Sequence, residues 1–198
     1  GLSNGERFSA RLLIAADGRN SMIREAMNIG VQTVRYGQKA LSFSVTHPIP
    51  HHNITTEIHR SGGPFTLVPL QDRDGLSASA VVWMEKGEEI SRLVSLDASA
   101  FEAEMAIRSC GLFGTLTLAS TRTVWPMISQ IADRLDGPRT ALIAEAAHVV
   151  PPIGAQGLNM SLADIATLLD QTLAAPADLG SESMLSSYHR RRWPAIKL

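Results

Sequence analysis

The middle of the chain alternates apolar and polar side chains with a period of two residues. Leu41, Phe43 and Val45 alternate with two serines and a threonine. Successive side chains of a strand point to opposite faces, so this pattern predicts a sheet with one covered face and one polar face. Clusters of proline, glycine, aspartate and serine separate this run from others like it. The predicted strands of this part are residues 40–46, 54–60, 65–70 and 76–84.

The outer parts of the chain combine short apolar runs with helical periodicity. Residues 11–16 and 141–144 are typical of buried strands, and residues 22–27 predict a short helix capped by Asn20 or Ser21. A long amphipathic helix follows the second run, with an apolar stripe of Leu158, Leu162, Ile165, Leu168 and Leu169. The other predicted elements are helices at 85–96, 97–110 and 181–193 and a strand at 120–127.

The connection before the long helix carries most of the candidate chemistry. The strand ends in Glu145, and the chain then passes through Pro151-Pro152 and the turn Gly154-Ala155-Gln156-Gly157. The first N–H groups of a helix are unpaired at the positive end of its dipole, and glycines let a ligand approach the backbone. These residues predict a site for an anion or a carbonyl oxygen. An ordinary strand-to-helix connection with a glycine cap explains them equally well.

Residues 144–164 resemble the second FAD-binding motif of the para-hydroxybenzoate hydroxylase family, the single-component flavoprotein aromatic monooxygenases. The family's usual wording is G-D-A-A-H, then P-P-x-G-A/G-x-G-L-N, then a helix with an acidic residue; this chain reads AEAAH, then PPIGAQGLN, then MSLAD. Ala144-Glu145 therefore stands in place of Gly-Asp. The family's aspartate hydrogen-bonds the ribityl chain of FAD, so the resemblance implies the same role for Glu145 with one more methylene.

A second stretch, ADGRNSMIR at residues 16–24, is similar to the A-D-G-x-x-S-x-x-R motif of the same family. In that family the motif lies beside the FAD pyrophosphate and is also tied to NAD(P)H use. The resemblance implies that Asp17 and Gly18 hold the loop and the cofactor, and that Arg24 neutralises phosphate charge. A plain Asp-Gly turn with a surface arginine is the alternative. Two family motifs in the same order, more than a hundred residues apart, argue against coincidence.

The resemblance implies a fold of the α+β or α/β class in two parts. Residues 1–33 and 121–198 would form a partial FAD-binding domain, Rossmann-like and of the GR2 type. Residues 34–120 would form an inserted substrate domain, a mixed and mainly antiparallel β-sheet with helices. Within it, FTLVPL at 65–70 and VVW at 81–83 resemble the ubiquinone-biosynthesis branch of the family, as does GAQGLN.

The implied activity is hydroxylation of a phenolic ring, with FAD as cofactor and NAD(P)H and O2 as co-substrates, through a C4a-hydroperoxyflavin. The substrate would be a polyprenylated phenol or a small phenolic acid. Backbone groups at Pro152, Leu158 and Asn159 form the predicted catalytic set, which contacts the flavin edge. The predicted cofactor-binding residues are Asp17, Gly18, Arg24, Glu145, Gly154, Ala155, Gln156, Gly157, Leu158 and Asn159. His148 is predicted to be a structural partner within its loop.

Composition and charge limit the classes of partner that the protein is expected to bind. Hydrophobic residues make up 44% of the chain, charged residues 19%, and the net charge is −1. These values are typical of a soluble globular protein and give no general electrostatic case for binding nucleic acid. No segment has the apolar length of a membrane span, which predicts a cytoplasmic protein and leaves peripheral membrane contact open. The oligomeric state stays undetermined.

Cysteine and histidine add little chemistry. The single cysteine, Cys110, excludes an internal disulfide and is predicted to be a buried structural thiol. Four histidines between residues 47 and 59 are predicted to be solvated loop residues. No metal site is expected, because no cysteine or carboxylate stands at ligand spacing from them.

A doubly wound dinucleotide site needs a G-x-G-x-x-G between a strand and a helix, and this chain has none. We therefore expect the chain to be the C-terminal portion of a longer protein that binds FAD weakly or not at all by itself. Two alternatives stay open. The longer protein could be a flavoprotein of the same fold that reduces or halogenates its substrate, or the chain could be a non-catalytic binding or assembly module.

Overall fold

The computed structural model describes residues 3–60, 62–152 and 156–197. The strands of this part are β1 Leu13–Ala15, β2 Val31–His47, β3 Thr56–Arg60, β4 Gly63–Arg73, β5 Leu76–Lys86, β6 Thr117–Leu118, β7 Thr123–Ala132, β8 Asp136–Gly137, β9 Thr140–Leu142 and β10 His148–Val149. The helices are α1 Met22–Ala26, α2 Gly87–Ser95, α3 Ala98–Arg108, α4 Gln156–Ala174 and α5 Glu182–Lys197, with short 3₁₀ turns at Ala144–Ala146 and Pro176–Asp178.

The chain divides into two compact units. One unit comprises Gly1–Val34 and Ile128–Leu198, and the other comprises Arg35–Met127. We call them the outer unit and the central unit. β2 and β7 each continue from one unit into the other. The mixed α/β composition with antiparallel pairing confirms the predicted fold class, whereas the assignment of the parts to cofactor and substrate stays a prediction.

The central unit contains a long antiparallel sheet. β5 pairs with β2 on one side and with β4 on the other, and β3 pairs with the far side of β4. Asp74 and Gly75 join β4 to β5 with positive φ at both positions, as a two-residue hairpin turn requires. Leu41, Phe43 and Val45 are buried while the polar residues between them are half-exposed. The predicted alternation in β2 is therefore confirmed.

Helices α2 and α3 cover the apolar face of this sheet. Ile90, Leu93, Phe101 and Met105 belong to one buried cluster with the apolar side chains of β2, β4 and β5. Asp97 begins α3 by accepting a hydrogen bond from the backbone N–H of Ala100. Both predicted helices are confirmed.

Two side-chain predictions for the central unit are wrong. Cys110 is exposed, because α3 ends at Arg108 and the chain turns outward with a positive φ at the cysteine. His47 is buried at the end of β2 rather than solvated in a loop. Its Nδ1 lies 2.8 Å from the carbonyl oxygen of Ile49 and its Nε2 lies 2.9 Å from the hydroxyl of Ser79.

The outer unit is built on a small sheet with two parallel strands. β1 and β9 are parallel, with Leu13 opposite Thr140 and Ala15 opposite Leu142, and β8 lies antiparallel on the other side of β9. Helices α4 and α5 pack against each other beside this sheet. The buried cluster of the unit includes Leu142, Leu168, Leu185 and Tyr188.

Helix α4 does not bury the stripe that its sequence predicts. Of the five stripe residues only Leu168 is buried, and Leu158, Leu162, Ile165 and Leu169 are exposed among the described residues. The buried positions of the helix are Asp164, Leu168 and Gln171. Periodicity correctly groups the apolar residues of α4 on one face. The face of α4 that packs against the rest of the unit is a different face, and it is partly polar.

No helix in the described part of the chain combines the length and apolar character that crossing a membrane requires. Across residues 3–60, 62–152 and 156–197, no group of three or more histidine, cysteine or acidic side chains is arranged to hold a metal ion.

Candidate functional site

The two predicted motifs emerge at the same edge of the outer sheet. Asp17 follows β1 and Glu145 follows β9, and these strands are parallel neighbours. The backbone N–H of Ile143 donates to the carbonyl of Ala15 at 3.0 Å, which extends the strand pairing up to both motifs. In open α/β sheets, ligands bind beyond the carboxyl ends of parallel strands. The topology therefore brings together two stretches that are far apart in the sequence.

Asp17 organises its own loop. Its Oδ1 accepts a hydrogen bond from the Ser21 hydroxyl at 2.5 Å, and its Oδ2 accepts one from the backbone N–H of Ile23 at 3.2 Å. Partial burial by itself would raise the pKa of Asp17, but these hydrogen bonds outweigh it and lower the pKa. The carboxylate therefore stays ionised and fixes the start of α1, where Ser21 is the capping residue. Gly18 has φ of +86°, a conformation that favours glycine.

Arg24 connects the first motif to the second. Its side chain is buried, with Nη1 donating to the carbonyl of Ala146 at 2.9 Å and Nη2 donating to the carbonyl of Arg19 at 3.0 Å. These contacts hold the Asp17 loop against the segment after β9. The predicted contact with phosphate stays a prediction, but the surface arginine of the alternative interpretation is not what the structure contains.

A second bridge joins the same two loops on the surface. Arg19 donates from Nε and Nη2 to the two carboxylate oxygens of Glu145, at 3.2 and 3.1 Å. Both side chains are partly exposed, so the pair contributes about 1 kcal/mol or less to stability. The half-exposed carboxylate of Glu145 keeps lone pairs that can accept hydrogen bonds from a hydroxylated ligand.

The residue before Glu145 has an unusual backbone. Ala144 has φ of +53°, in the left-handed region that favours glycine. The resembled family usually has glycine at this position, so the structure gives a physical reason for that preference. The alanine in this chain carries backbone strain at the entrance to the candidate site.

The start of α4 is open toward the surface. Leu158 is 70% exposed and Asn159 is exposed, and the first turn contains no acidic residue. A Cβ added to Gly157 would have only the Cγ2 atom of Val150 within contact distance, at 3.9 Å. The described residues therefore leave room for a ligand against this backbone. Gly154 and Ala155 lie outside the described residues, Gln156 begins the helix, and Pro152 is exposed in the bend before it.

Beneath the candidate site lies a buried network of hydrogen-bonded side chains centred on Asp164. Its Oδ2 lies 2.6 Å from Nε2 of His148 and accepts the backbone N–H of Ala144 at 3.0 Å. Its Oδ1 accepts the Nε–H of Arg192 at 2.8 Å, and Nη2 of Arg192 donates to the carbonyl of Met160 at 3.3 Å. One carboxylate thereby ties together the chain before Glu145, the histidine of β10, and helix α5.

This network is what sequence reasoning missed. His148 was expected to be a structural partner, and its fully buried contact with Asp164 agrees with that role. Asp164 and Arg192 were not among the predicted site residues. The signal lay in the acidic residue of the helix and in the Y-x-x-x-R-x-P pattern at 188–194, whose tyrosine donates its hydroxyl to the carbonyl of Leu142 at 2.8 Å. Burial raises the pKa of Tyr188, so this hydroxyl keeps its proton.

A cleft of the outer unit lies away from these motifs. It has a volume of about 740 Å³ and is lined by residues around the β8–β9 turn and the start of α5, including Asp133, Arg139 and Asp178. This position is at the beginning of β9, whereas both motifs follow the ends of β1 and β9. None of the predicted site residues that the structure describes lines it, so we base the site on the converging motifs rather than on this cleft.

Comparison with known proteins gives one family and several relatives. The family described as FAD binding domain matches residues 2–198. Ubiquinone hydroxylase UbiL of Rhodospirillum rubrum is 34% identical over 196 residues, which cover 98% of this chain and 45% of that protein. The 3-demethoxyubiquinol 3-hydroxylase of Escherichia coli is 28% identical over 194 residues, covering 96% of this chain and 48% of that protein. The chain thus spans about half the length of the relatives that it matches.

A solved structure agrees in fold. The crystal structure of pqsL, a probable FAD-dependent monooxygenase from Pseudomonas aeruginosa, superimposes with a TM-score of 0.79 at 22% identity. The match covers 98% of this chain and 55% of that one. At this level of identity the likeness shows the shared fold.

Proposed function

Because this chain belongs to the FAD-binding domain family, we propose that it forms part of an FAD-dependent monooxygenase that hydroxylates a phenolic ring using NAD(P)H and O2. The observation that carries this proposal is the meeting of the Asp17 and Glu145 loops at the carboxyl edge of β1 and β9, beside the open start of α4. The relatives named above support the choice of reaction.

The residues present fit FAD. A half-exposed carboxylate at Glu145 suits the hydroxyls of a ribityl chain, and the bare backbone at Gly157 suits a flat ring that carries acceptor oxygens. FAD, when bound, would supply the redox chemistry of the reaction. The first amides of α4, at Gly157, Leu158 and Asn159, would hold negative charge at the ring edge, because they lie at the positive end of the helix dipole.

The remaining residues position these groups. Pro152 restricts the backbone as the chain approaches the helix. Arg24 and the Asp164 network keep the two loops and α4 in one arrangement. Asp17 acts through the Ser21 cap, which fixes the loop that would face the cofactor phosphates.

For the substrate we propose a polyprenylated phenol, in line with the names of the two relatives, a ubiquinone hydroxylase and a 3-demethoxyubiquinol 3-hydroxylase. Such a molecule is strongly apolar and partitions into lipid. We therefore also propose that the longer protein meets its substrate at a membrane surface.

The proposal is tested with the complete protein that contains this chain, with the chain alone measured beside it. We expect bound flavin in the complete protein, little or none in the chain alone, and phenol-dependent oxidation of NAD(P)H that yields a product heavier by one oxygen atom. Absence of flavin from the complete protein contradicts the proposal. A halogenated or reduced product, or oxidation without hydroxylation, replaces it with one of the alternative flavoprotein activities.

A matched pair of variants tests the role of Glu145. Glu145→Gln removes the carboxylate and the ion pair with Arg19, whereas Arg19→Met removes the same ion pair and leaves the carboxylate. We expect weaker flavin binding in Glu145→Gln and near-normal flavin content in Arg19→Met. Equal loss in both variants means that the ion pair, rather than contact with the cofactor, is what matters.

The helix start is tested by Gly157→Ala. The neighbouring atoms leave room for the added methyl group, and alanine favours helix more than glycine does, so the fold should be retained. If the cofactor lies against this backbone, the methyl group will obstruct it, and flavin affinity will fall while the melting temperature does not. Unchanged flavin affinity places the cofactor elsewhere.

A further inference from the structure

The central unit contains a second cleft with buried donors that nothing in the proposed reaction uses. It has a volume of about 540 Å³ and lies where the ends of β3 and β5 meet α2 and the end of α3. Trp83 and Arg108 both line it. None of the described residues assigned to the cofactor or to catalysis lines this cleft.

Arg108 is a buried cation whose hydrogen bonds are incomplete. The side chain is 6% exposed, and Nη2 donates to the carbonyl of Gly63. Nε and Nη1, which together carry three N–H bonds, have no partner among the described residues and no contact with solvent. Burial lowers the pKa of Arg108, and the nearby charge of Glu85 offsets only part of this effect.

Trp83 places a further unused donor in the same cleft. Its side chain is 3% exposed, and its indole Nε1 also lacks a partner among the described residues. Buried polar groups in proteins are nearly always hydrogen-bonded, so three unpartnered nitrogen atoms on two residues of one cleft call for an acceptor. All of these atoms are donors, and a ligand that satisfies them must supply oxygen lone pairs.

The acidic residues of the cleft do not meet this need. Glu89 and Glu104 both pair with Arg92, at 2.6 and 2.9 Å. Glu85 accepts the backbone N–H of Lys86 at 3.2 Å, and no ion pair in the described chain joins it to Arg108. These carboxylates are partly exposed, so water and salt screen them, whereas the buried guanidinium is screened much less.

We propose that this cleft binds a small carboxylate-bearing molecule, whose oxygens accept from Arg108 and from the indole N–H of Trp83. The apolar part of the molecule would lie toward Ile107, an exposed side chain at the edge of the cleft. The unpartnered nitrogens are out of contact with solvent, so a side chain lining the cleft moves when the ligand enters. The site is independent of the proposed FAD chemistry, because the two use different residues.

The test is an NMR titration of the ¹⁵N-labelled full chain, following the indole N–H of Trp83 and the Nε–H of Arg108. The probes are sodium butyrate, the uncharged analogue butyramide, and sodium phosphate. The two signals are assigned with Trp83→Phe, which removes the indole N–H, and Arg108→Met, which removes the Nε–H. We expect a saturable shift of both signals with butyrate and a much weaker response to butyramide. No saturable shift with any probe overturns the proposal and leaves a trapped water as the partner of these donors.

Variants separate direct binding from general effects. Arg108→Met should weaken butyrate binding by about tenfold or more, since it removes the charge-assisted hydrogen bonds. Glu85→Gln should bind butyrate at least as tightly as the unmodified chain, because it removes a like charge from the cleft. Arg190→Met, a change at an exposed arginine of the outer unit, should leave binding unchanged.

Two further outcomes count against the proposal. Equal binding by Arg108→Met and the unmodified chain contradicts it, and saturation by phosphate alone overturns the carboxylate class. If Arg108→Met does not fold, the shift of the Arg108 signal in the unmodified chain and in Trp83→Phe still decides the question.

Discussion

Two buried arginines, one in each unit, show two different uses of a buried charge. Arg192 in the outer unit is 8% exposed, and it donates to the carboxylate of Asp164 and to the carbonyl of Met160. Arg108 in the central unit is equally buried, but it reaches one carbonyl, and two of its nitrogens have no partner in the part of the chain that the structure describes.

The difference lies in the hydrogen-bond partners of each guanidinium group. A buried charge is costly unless it is paired and hydrogen-bonded. The chain itself supplies acceptors for Arg192, which makes that residue part of the scaffold under the cofactor loops. No described residue accepts a hydrogen bond from Nε or Nη1 of Arg108, which makes that residue a candidate contact for a ligand. Substitution should therefore cost much more stability at Arg192 than at Arg108.

The largest effect on stability is expected at Asp164, the carboxylate that accepts the hydrogen bonds of the buried network in the outer unit. Asp164→Ala leaves Arg192 and His148 buried without their carboxylate, and should lower the free energy of unfolding by about 3–5 kcal/mol. Denaturant titration measures the change. Asp170→Ala, on the exposed side of the same helix, is the control and should change stability by less than about 0.5 kcal/mol. Similar losses in the two variants would mean that the network does not hold the unit together.

The comparison itself is tested by making the same substitution at both arginines. Arg192→Met leaves the Asp164 carboxylate buried without its cation and should cost about 3 kcal/mol. Arg108→Met replaces an incompletely bonded cation with an apolar side chain of similar length and should change stability by about 1 kcal/mol or less. Thermal and denaturant unfolding of both variants provide the measurement. Equal destabilisation would show that Arg108 is as structural as Arg192.

A smaller effect is expected at Ala144. Glycine adopts the left-handed backbone without the strain that alanine carries there, although it is more flexible in the unfolded chain. Ala144→Gly should therefore raise the free energy of unfolding by about 0.5–1 kcal/mol. Ala147→Gly is the control, because φ at Ala147 is −93° and glycine relieves no strain there. Destabilisation of both variants would indicate that the backbone at Ala144 is not strained.

The smallest effect on stability is expected at His47, a buried histidine whose ring nitrogens are hydrogen-bonded to a carbonyl and a hydroxyl. Burial lowers the pKa of His47 in the folded chain. The unfolded chain, with a histidine pKa of about 6.5, then binds a proton more readily than the folded chain, so stability falls as the pH drops below that value. Melting temperatures between pH 7.5 and pH 5 should decline less in His47→Gln than in the exposed control His52→Gln. An identical decline would exclude His47 as a source of the pH dependence.

Much of the local structure was predictable from the sequence. The alternation in β2 and the two helices predicted between residues 85 and 110 depend on neighbouring residues, and both are confirmed. The prediction that α5 ends before Pro194 is wrong, since the helix continues to Lys197. The proline is exposed near the end of the helix, where water can replace the hydrogen bond that it cannot donate.

The candidate site was predictable only in part. The motif residues around Asp17 and Glu145 were identified from the sequence, and the parallel pairing of β1 with β9 explains why they meet. The contacts of Arg24 and the role of Asp164 were not identified. A polar residue with helical spacing is usually solvated, and nothing local shows that its neighbours in space are buried donors.

The sequence by itself determined which residues form strands and helices, which side chains share a face, and which two stretches resemble cofactor-binding motifs. These properties depend on backbone preferences and on residues a few positions apart. Only the tertiary structure decided which face each element buries, as the exposed stripe of α4 and the exposed Cys110 show. It also decided which buried charges find a partner, because burial and pairing depend on segments that are distant along the chain.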